Sequence, residues 1–247
     1  MLDFARRAES GIYTNAKVEY FPGFTRFTIA DAPVFREPGW EAEKPQHRLH
    51  KPQSPDNASQ GRSISRAKRK IHDIAALNEF QYFVTLTLDG AKIDRQSPDE
   101  VGQKLKIFLS NKVRRNGWSY IIVPEYHKDG KSIHLHGLIS GRLRLTDSRH
   151  RAKNGRGIYN IDDWKYGFST CIELTGDREA VARYIVKYVT KDTQKILGNF
   201  YYAGGNIQRN PEKEYINLEY EEIEAPNHYV PDLGVNFKYL TVKEATA

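Results

Sequence analysis

Tyr120-Ile121-Ile122-Val123-Pro124-Glu125-Tyr126-His127-Lys128-Asp129-Gly130-Lys131-Ser132-Ile133-His134-Leu135-His136-Gly137-Leu138-Ile139-Ser140 reads as two strands folded about a turn. Asp129-Gly130 is a hairpin-turn pair, and strands joined so closely must run antiparallel. Outward from this hairpin the pattern stays regular. Tyr82 to Leu88 is a β-branched and aromatic strand closed by Asp89-Gly90. A helix follows, with Ser97 as N-cap, Pro98 at its first position and Glu100 completing a capping box. Val101, Leu105, Phe108, Leu109 and Val113 give that helix an apolar stripe, and Gly117 ends it. Phe168–Leu174 predicts a further strand, Asp177–Thr193 a further helix, and Ser63 or Ser65 can cap a helix running to about Asn78. The expected fold is α+β, with helices packed on an antiparallel sheet.

The chain has 247 residues, a formal charge of +7 and a pI near 9.3, which suits a polyanionic partner. No run of about 18 apolar residues spans a membrane. The start of the chain lacks the apolar core of a secretory signal, so the expected location is cytoplasmic. The single cysteine, Cys171, excludes a disulfide framework or a multi-cysteine metal site. Three regions are expected: an N-terminal extension and linker over 1–62, a central domain over 63–200, and a C-terminal extension over 201–247. Within the first, Val18, Tyr20, Phe24, Phe27 and Ile29 suggest two short strands about Pro22-Gly23, and 41–62 reads as a loop. Tyr201 to Asn206 reads as a tight turn that could pack on the central domain. Gly130-Lys131-Ser132 imitates the end of a phosphate-binding loop, but the earlier glycine is absent and a strand follows where a helix is needed.

Side chains alternate across a strand, so His134 and His136 share one face while Ile133, Leu135 and Ile139 take the other. The hairpin can return Glu125 beside the two imidazoles, with His127 as the alternative third group. Two imidazoles and a carboxylate suit a divalent ion that must also hold a phosphate oxygen, although histidines on a strand also serve purely structural ends.

In the last predicted helix, Ala182, Ile185, Val186 and Val189 form a buried stripe. Tyr184, Lys187, Tyr188 and Lys191 repeat that spacing about 200° away. Two phenols one turn apart beside two ammonium groups have the makings of paired nucleophiles with charge stabilisers; the alternative is tyrosines lying on a sheet with lysines reaching solvent. Basic residues gather in two more places. Arg66, Lys68, Arg69 and Lys70 lie in the first turns of a helix, where they oppose its dipole and are better explained by phosphate contact or solvation. Arg142, Arg144, Arg149, Arg151, Lys153 and Arg156 stand in a stretch that reads as a mobile loop. Trp164, Tyr166 and Phe168 follow it, the combination that binds single-stranded nucleic acid by charge and stacking.

Phe83-Val84-Thr85-Leu86-Thr87, His134-Leu135-His136 and Tyr184-x-x-Lys187-Tyr188-x-x-Lys191 stand in an order that resembles the rolling-circle replication initiators of the HUH endonuclease family. The pair of tyrosines resembles the two-tyrosine branch of phage and plasmid Rep proteins, and the resemblance covers roughly residues 63–200. It implies a central antiparallel sheet of about five strands flanked by helices, with RNA-recognition-motif-like, ferredoxin-like topology. It implies Mg²⁺ or Mn²⁺ held by Glu125, His134 and His136. It also implies attack by Tyr184 on a single-stranded DNA origin, which a hairpin could present, through a 5′-phosphotyrosyl intermediate. Tyr188 would be the second nucleophile, with Lys187 and Lys191 balancing charge. Arg66, Lys68, Arg69 and the six basic residues of 142–156 would bind DNA, and the freed 3′-hydroxyl would prime a host polymerase aided by a host helicase. A transposase or mobilisation relaxase shares that chemistry, and a noncatalytic RNA-recognition-motif-like binder would share only the sheet.

Overall fold

The computed structural model describes residues 13–36, 57–189, 195–231 and 233–244, with residues 57–60 described by backbone alone. In chain order the elements are β1 (Tyr13–Thr14), β2 (Ala16–Phe21), β3 (Phe24–Ala30), β4 (Phe35–Arg36), α1 (Asn57–Leu77), β5 (Tyr82–Leu88), α2 (Pro98–Asn116), β6 (Ser119–Tyr126) and β7 (Ile133–Ser140). They continue with β8 (Leu145–Arg151), β9 (Gly157–Ile161), β10 (Gly167–Glu173), α3 (Arg178–Val186), β11 (Tyr202–Gly204), β12 (Glu212–Ile216), β13 (His228–Val230) and β14 (Val235–Lys243). The architecture is α+β, as the hairpin and helix signals predict. Among the described residues no helix is long and apolar enough to cross a membrane.

The chain divides into two compact units, one of residues 55–210 and one of residues 1–54 with 211–247. The second unit contains a five-stranded sheet in the order β12-β2-β3-β14-β13. The strands expected about Pro22-Gly23 are β2 and β3, paired from Phe21↔Phe24 outward. The two ends of the chain, read from the sequence as separate extensions, contribute strands to this one sheet. Ala16, Val18, Ile29 and Ile216 form a core on one of its faces. Glu19 is almost fully buried, and Arg26 at 3.1 Å and Lys17 at 3.6 Å balance its charge, as a buried carboxylate requires.

Residues 55–210 are built on a seven-stranded sheet, β11-β6-β7-β5-β10-β9-β8, in which every described pairing is antiparallel. The split arrangement places β7 between β5 and β6. Two additions take the sheet past the expected five strands. Tyr202–Gly204, within the expected tight turn, adds to the edge of β6. The stretch 142–161, expected as a mobile loop, is instead the β8–β9 ribbon. Its turn is Asn154-Gly155, where Gly155 takes φ +80° and Ala152 and Arg156 close the hairpin by a 2.9 Å backbone hydrogen bond. Leu143, Leu145 and Tyr159 pack on the core while the arginines between them point outward. Local alternation and an Asn-Gly pair are the strand and turn signals that the density of arginine hides.

Helix α2 lays Val101, Leu105, Phe108 and Leu109 against Val84, Leu86, Ile133 and Leu135 on one face of the sheet. Its caps form largely as expected. Ser97 Oγ accepts from Glu100 N at 3.3 Å and Gly117 takes φ +65°, but Glu100 reaches the backbone of Asp94 rather than that of Ser97. Helices α1 and α3 pack on one another, and α3 lies over β7. Helix α1 begins at Asn57, earlier than Ser63 or Ser65, so its first turns occupy the end of the expected loop. Helix α3 ends at Val186 rather than Thr193, and Lys187 and Tyr188 stand in the turn that follows.

Gly137 sits where β7 meets β6 most closely. A Cβ there would lie 2.4 Å from Ile122 Cδ1 and 2.5 Å from the backbone oxygen of Ile121. The second of these cannot yield by a rotamer change. Gly137→Ala is therefore expected to cost about 1–3 kcal/mol through overpacking, read as a lowered urea midpoint by circular dichroism; an unchanged midpoint would refute the close approach. Asp163 anchors the ribbon to α2, since Arg144 and Lys112 (2.6 Å) both pair with it. The hydrogen bond from Arg144 leads in holding its carboxyl below the usual range. A depressed carboxyl contributes stability above its unfolded value of about 3.9 and loses it as pH falls through the folded value. Wild type is thus expected to lose stability as pH drops below about 4, and Asp163→Asn should flatten that acid limb in pH-dependent denaturant titrations.

Candidate active site

Cross-strand register arranges the site in rows. Glu125 of β6, His134 of β7, Thr87 of β5 and Phe168 of β10 are successive partners, and residues directly opposite share a face. The next row along the same face is Val123, His136, Thr85 and Thr170, and the row after it is Ile121, Leu138, Phe83 and Ile172. His134, His136 and Glu125 therefore stand together on the face away from α2, as the alternation predicts.

His136 is the most engaged of them. Its Nε2 lies 3.1 Å from Glu125 Oε2 and its Nδ1 3.2 Å from Thr85 Oγ1. Burial pushes the imidazole down to about 4, and the nearby His134 adds to the effect. A neutral ring with one N–H meets both contacts if Nε2–H donates to the carboxylate and Nδ1 accepts from the threonine hydroxyl. Burial also lowers His134 and raises Glu125. His134 lies 4.6 Å, centroid to centroid, from His127 and 6.5 Å from His136. Asp129 fixes the hairpin that carries them. Its Oδ1 accepts from Lys131 N and Ser132 N at 2.9 and 2.8 Å, and its Oδ2 accepts from Ser132 Oγ. These bonds hold its carboxyl well below the usual range.

Tyr184 and Tyr188 come down onto this face from α3 and its following turn. The Tyr188 ring stacks on His136 at 3.9 Å and 19°, and both tyrosines contact Phe83. Tyr188 Oη donates to Tyr184 Oη at 3.0 Å. Burial and that hydrogen bond push the Tyr188 phenol well above its ordinary range. Tyr184 is the more open of the two, 43% exposed, with Lys187 Nζ 5.6 Å from its ring centre. The tyrosine stripe thus meets the histidines on the sheet rather than facing solvent. Lys191 lies outside the described residues.

The histidines and Glu125 fit a divalent cation by donor type, two imidazole nitrogens and a carboxylate, and burial keeps both rings in the neutral form that coordinates. Among the described residues, however, no three His, Cys, Asp or Glu side chains form a metal-binding cluster as they stand. Glu125 is instead paired to His136, and His134 faces His127.

The expected DNA-binding residues fall into two groups. Arg66 and Arg69 are exposed on α1 with Lys68 half-buried, while Lys70 is bound to Arg209 O and Asn210 Oδ1, a tie within the fold. Arg149 and Lys153 are exposed on the ribbon. Arg144 and Arg151 are exposed but paired with Asp163 and Asp147, Arg142 donates to Arg115 O, and Arg156 to Glu173 O. Of the three aromatic rings expected to stack bases, Trp164 is buried and donates Nε1–H to Thr87 O, and Tyr166 packs on the core. Phe168, 72% exposed, is open on the histidine face. Strand parity could have separated it from Trp164, but only the register places it in the row of His134.

Residues 81–193 match the family of proteins described as Replication-associated protein ORF2. The match covers just under half of the chain and supports a replication initiator of the Rep class, the class that the three motifs imply, without distinguishing the two-tyrosine branch. No curated protein and no solved structure matches the chain.

The stack on His136 gives Tyr188 a measurable share in holding the site. Tyr188→Phe keeps the ring and loses one hydrogen bond, an expected cost of about 1 kcal/mol or less. Tyr188→Ala also removes the aromatic contacts, worth roughly a further 0.5–1.5 kcal/mol. Thermal unfolding should therefore rank wild type, Phe and Ala in that order; equal melting temperatures would remove Tyr188 from the packing.

Proposed function

We propose that residues 55–210 form a metal-dependent endonuclease and strand transferase that nicks and rejoins single-stranded DNA at an origin, initiating rolling-circle replication of a phage or plasmid. The observation that carries this reading is the meeting of two phenol oxygens, 3.0 Å apart, with a carboxylate–imidazole pair on one open sheet face. A noncatalytic binder would have no use for that combination.

Tyr184 is the first nucleophile in this reading. It is the more exposed phenol, and a hydrogen bond donated by Tyr188 favours negative charge on its oxygen. Its Oη forms a bond to the scissile phosphorus as the bond from phosphorus to the 3′-oxygen breaks. The phenol gives up its proton and the departing 3′-oxygen takes one, leaving a 5′-phosphotyrosyl link and a 3′-hydroxyl. Lys187 offsets the charge that develops on the phosphate, and Lys191 belongs to the same proposal. Glu125, His134 and His136 would hold Mg²⁺ or Mn²⁺, which supplies polarisation of a phosphate oxygen. Tyr188, within hydrogen-bond reach of the first phenol, repeats the attack when the origin is regenerated, and the new 3′-hydroxyl resolves the first link.

Charge supports the DNA assignment. Residues 55–210 contain 27 Lys and Arg against 16 Asp and Glu, whereas the rest of the chain has 11 against 15. The excess of basic residues is therefore confined to the unit with the candidate site. Arg66, Lys68, Arg69 and the ribbon residues Arg142, Arg144, Arg149, Arg151, Lys153 and Arg156 would contact phosphates, and Phe168 would stack a base. A host polymerase and helicase would act on the product.

Labelled single-stranded DNA tiling the replicon, incubated with the protein and Mn²⁺, is expected to give a covalent adduct on a denaturing gel. EDTA, His134→Ala or Tyr184→Phe should remove the first-round adduct. Tyr188→Phe should permit it but block repeated joining. Binding across all tiles with no adduct would leave a noncatalytic nucleic-acid binder, and full multi-round joining by Tyr188→Phe would point to a one-tyrosine relaxase or transposase.

A further inference from the structure

A cleft of about 460 Å³ opens beside Tyr184, between the tip of the β8–β9 ribbon, the end of β10 and the start of α3. Phe83, Ile172, Leu174 and Val181 give it apolar walls, and Tyr184 closes one end. Asn154 and Thr175 bring an amide and a hydroxyl to it, and Lys153 and Arg156 add positive charge from the ribbon tip. The bond from Arg156 Nη1 to Glu173 O ties that tip to β10 and so fixes the gap.

We infer that this cleft takes one unstacked nucleobase of the single-stranded DNA, from the nucleotide next to the phosphate that Tyr184 attacks. The inference rests on the nuclease reading and extends it to sequence choice. Its size is that of a small-ligand site. The carboxylates of Glu173 and Asp177 also line it, so the interior suits a neutral heterocycle rather than a phosphate. The flat apolar walls accept the faces of a base, and Asn154 and Thr175 can donate to or accept from its edge. Lys153 and Arg156 complement the phosphates on either side. Because Tyr184 is itself a wall, a base seated here has its own phosphate within one sugar of the phenol oxygen. Filling the cleft and presenting the scissile phosphate are then the same event. Phe168 lies two rows away along the sheet face, so a strand seated here has a second aromatic contact beyond the histidines.

The test uses the full chain, Mn²⁺ and a single-stranded DNA pool of randomised sequence, with covalent adducts recovered and sequenced. The expected result is a preference of roughly tenfold, the scale of one well-held base, at a single nucleotide adjoining the joined phosphate. Ala180→Trp fills the cleft from an exposed position on α3; its adducts should lose that preference and keep those at other positions. Asn154→Ala, which changes the edge contact without filling space, should relax it in part. Adducts with no preference beside the joined phosphate, or with one that survives both substitutions, would overturn the cleft assignment and leave the nuclease intact. Absence of any wild-type adduct would overturn both.

Discussion

The pairing of β7 between β5 and β6 is the constraint on which the site depends. Each residue of β7 has partners on both sides, so its register cannot slip without moving His134 and His136 from one face to the other. Gly137 lets β6 approach where a methyl group would strike its backbone, and Asp129 ties the hairpin at its open end. The same pairing puts Ile133 and Leu135 under α2, so the hydrophobic energy that seats the helix also orients the histidines.

That arrangement divides the labour between the two faces. The α2 side is a packed core, rich in large apolar side chains. The other side is only partly covered by α1 and α3, and what remains open holds a carboxylate, imidazoles, threonines and Phe168 in register. Charged and titratable groups on a half-covered face are shifted by burial yet reachable, which is why His136 is held neutral while Tyr184 keeps access to solvent. Tyr188 joins the two regions, since one ring stacks on a sheet histidine and donates to the outer phenol.

The similarity to replication-associated proteins falls on 81–193, the span from just before β5 to beyond the described end of α3. Helix α1, β11 and the second unit lie outside it. Strand β11 is part of the same sheet, and residues 208–210 hold Lys70 and Asn78 of the α1 region by side-chain and backbone bonds. The compact unit is therefore larger than the span of the similarity, because a sheet edge and a helix face each gain from being covered.

Much of the fold was legible in the sequence because its signals are local. Alternation set β5, β6 and β7; a serine, a proline and a glycine set the ends of α2; and Asp129-Gly130 set the hairpin that made the sheet antiparallel. The shared face of His134 and His136 followed from strand parity alone. The β8–β9 ribbon was as local but was masked by its arginines, whose charges read as a loop though alternate positions face inward. Other features belong to the tertiary structure. Which aromatic rings of 164–168 are buried depends on α2 and the strand beside them. That Tyr184 and Tyr188 meet Phe83 and His136 depends on how α3 crosses β7. The pairing of the first strands with those of residues 212–243 depends on chain ends almost two hundred residues apart. No local propensity encodes such contacts, because they exist only when distant apolar surfaces are buried together.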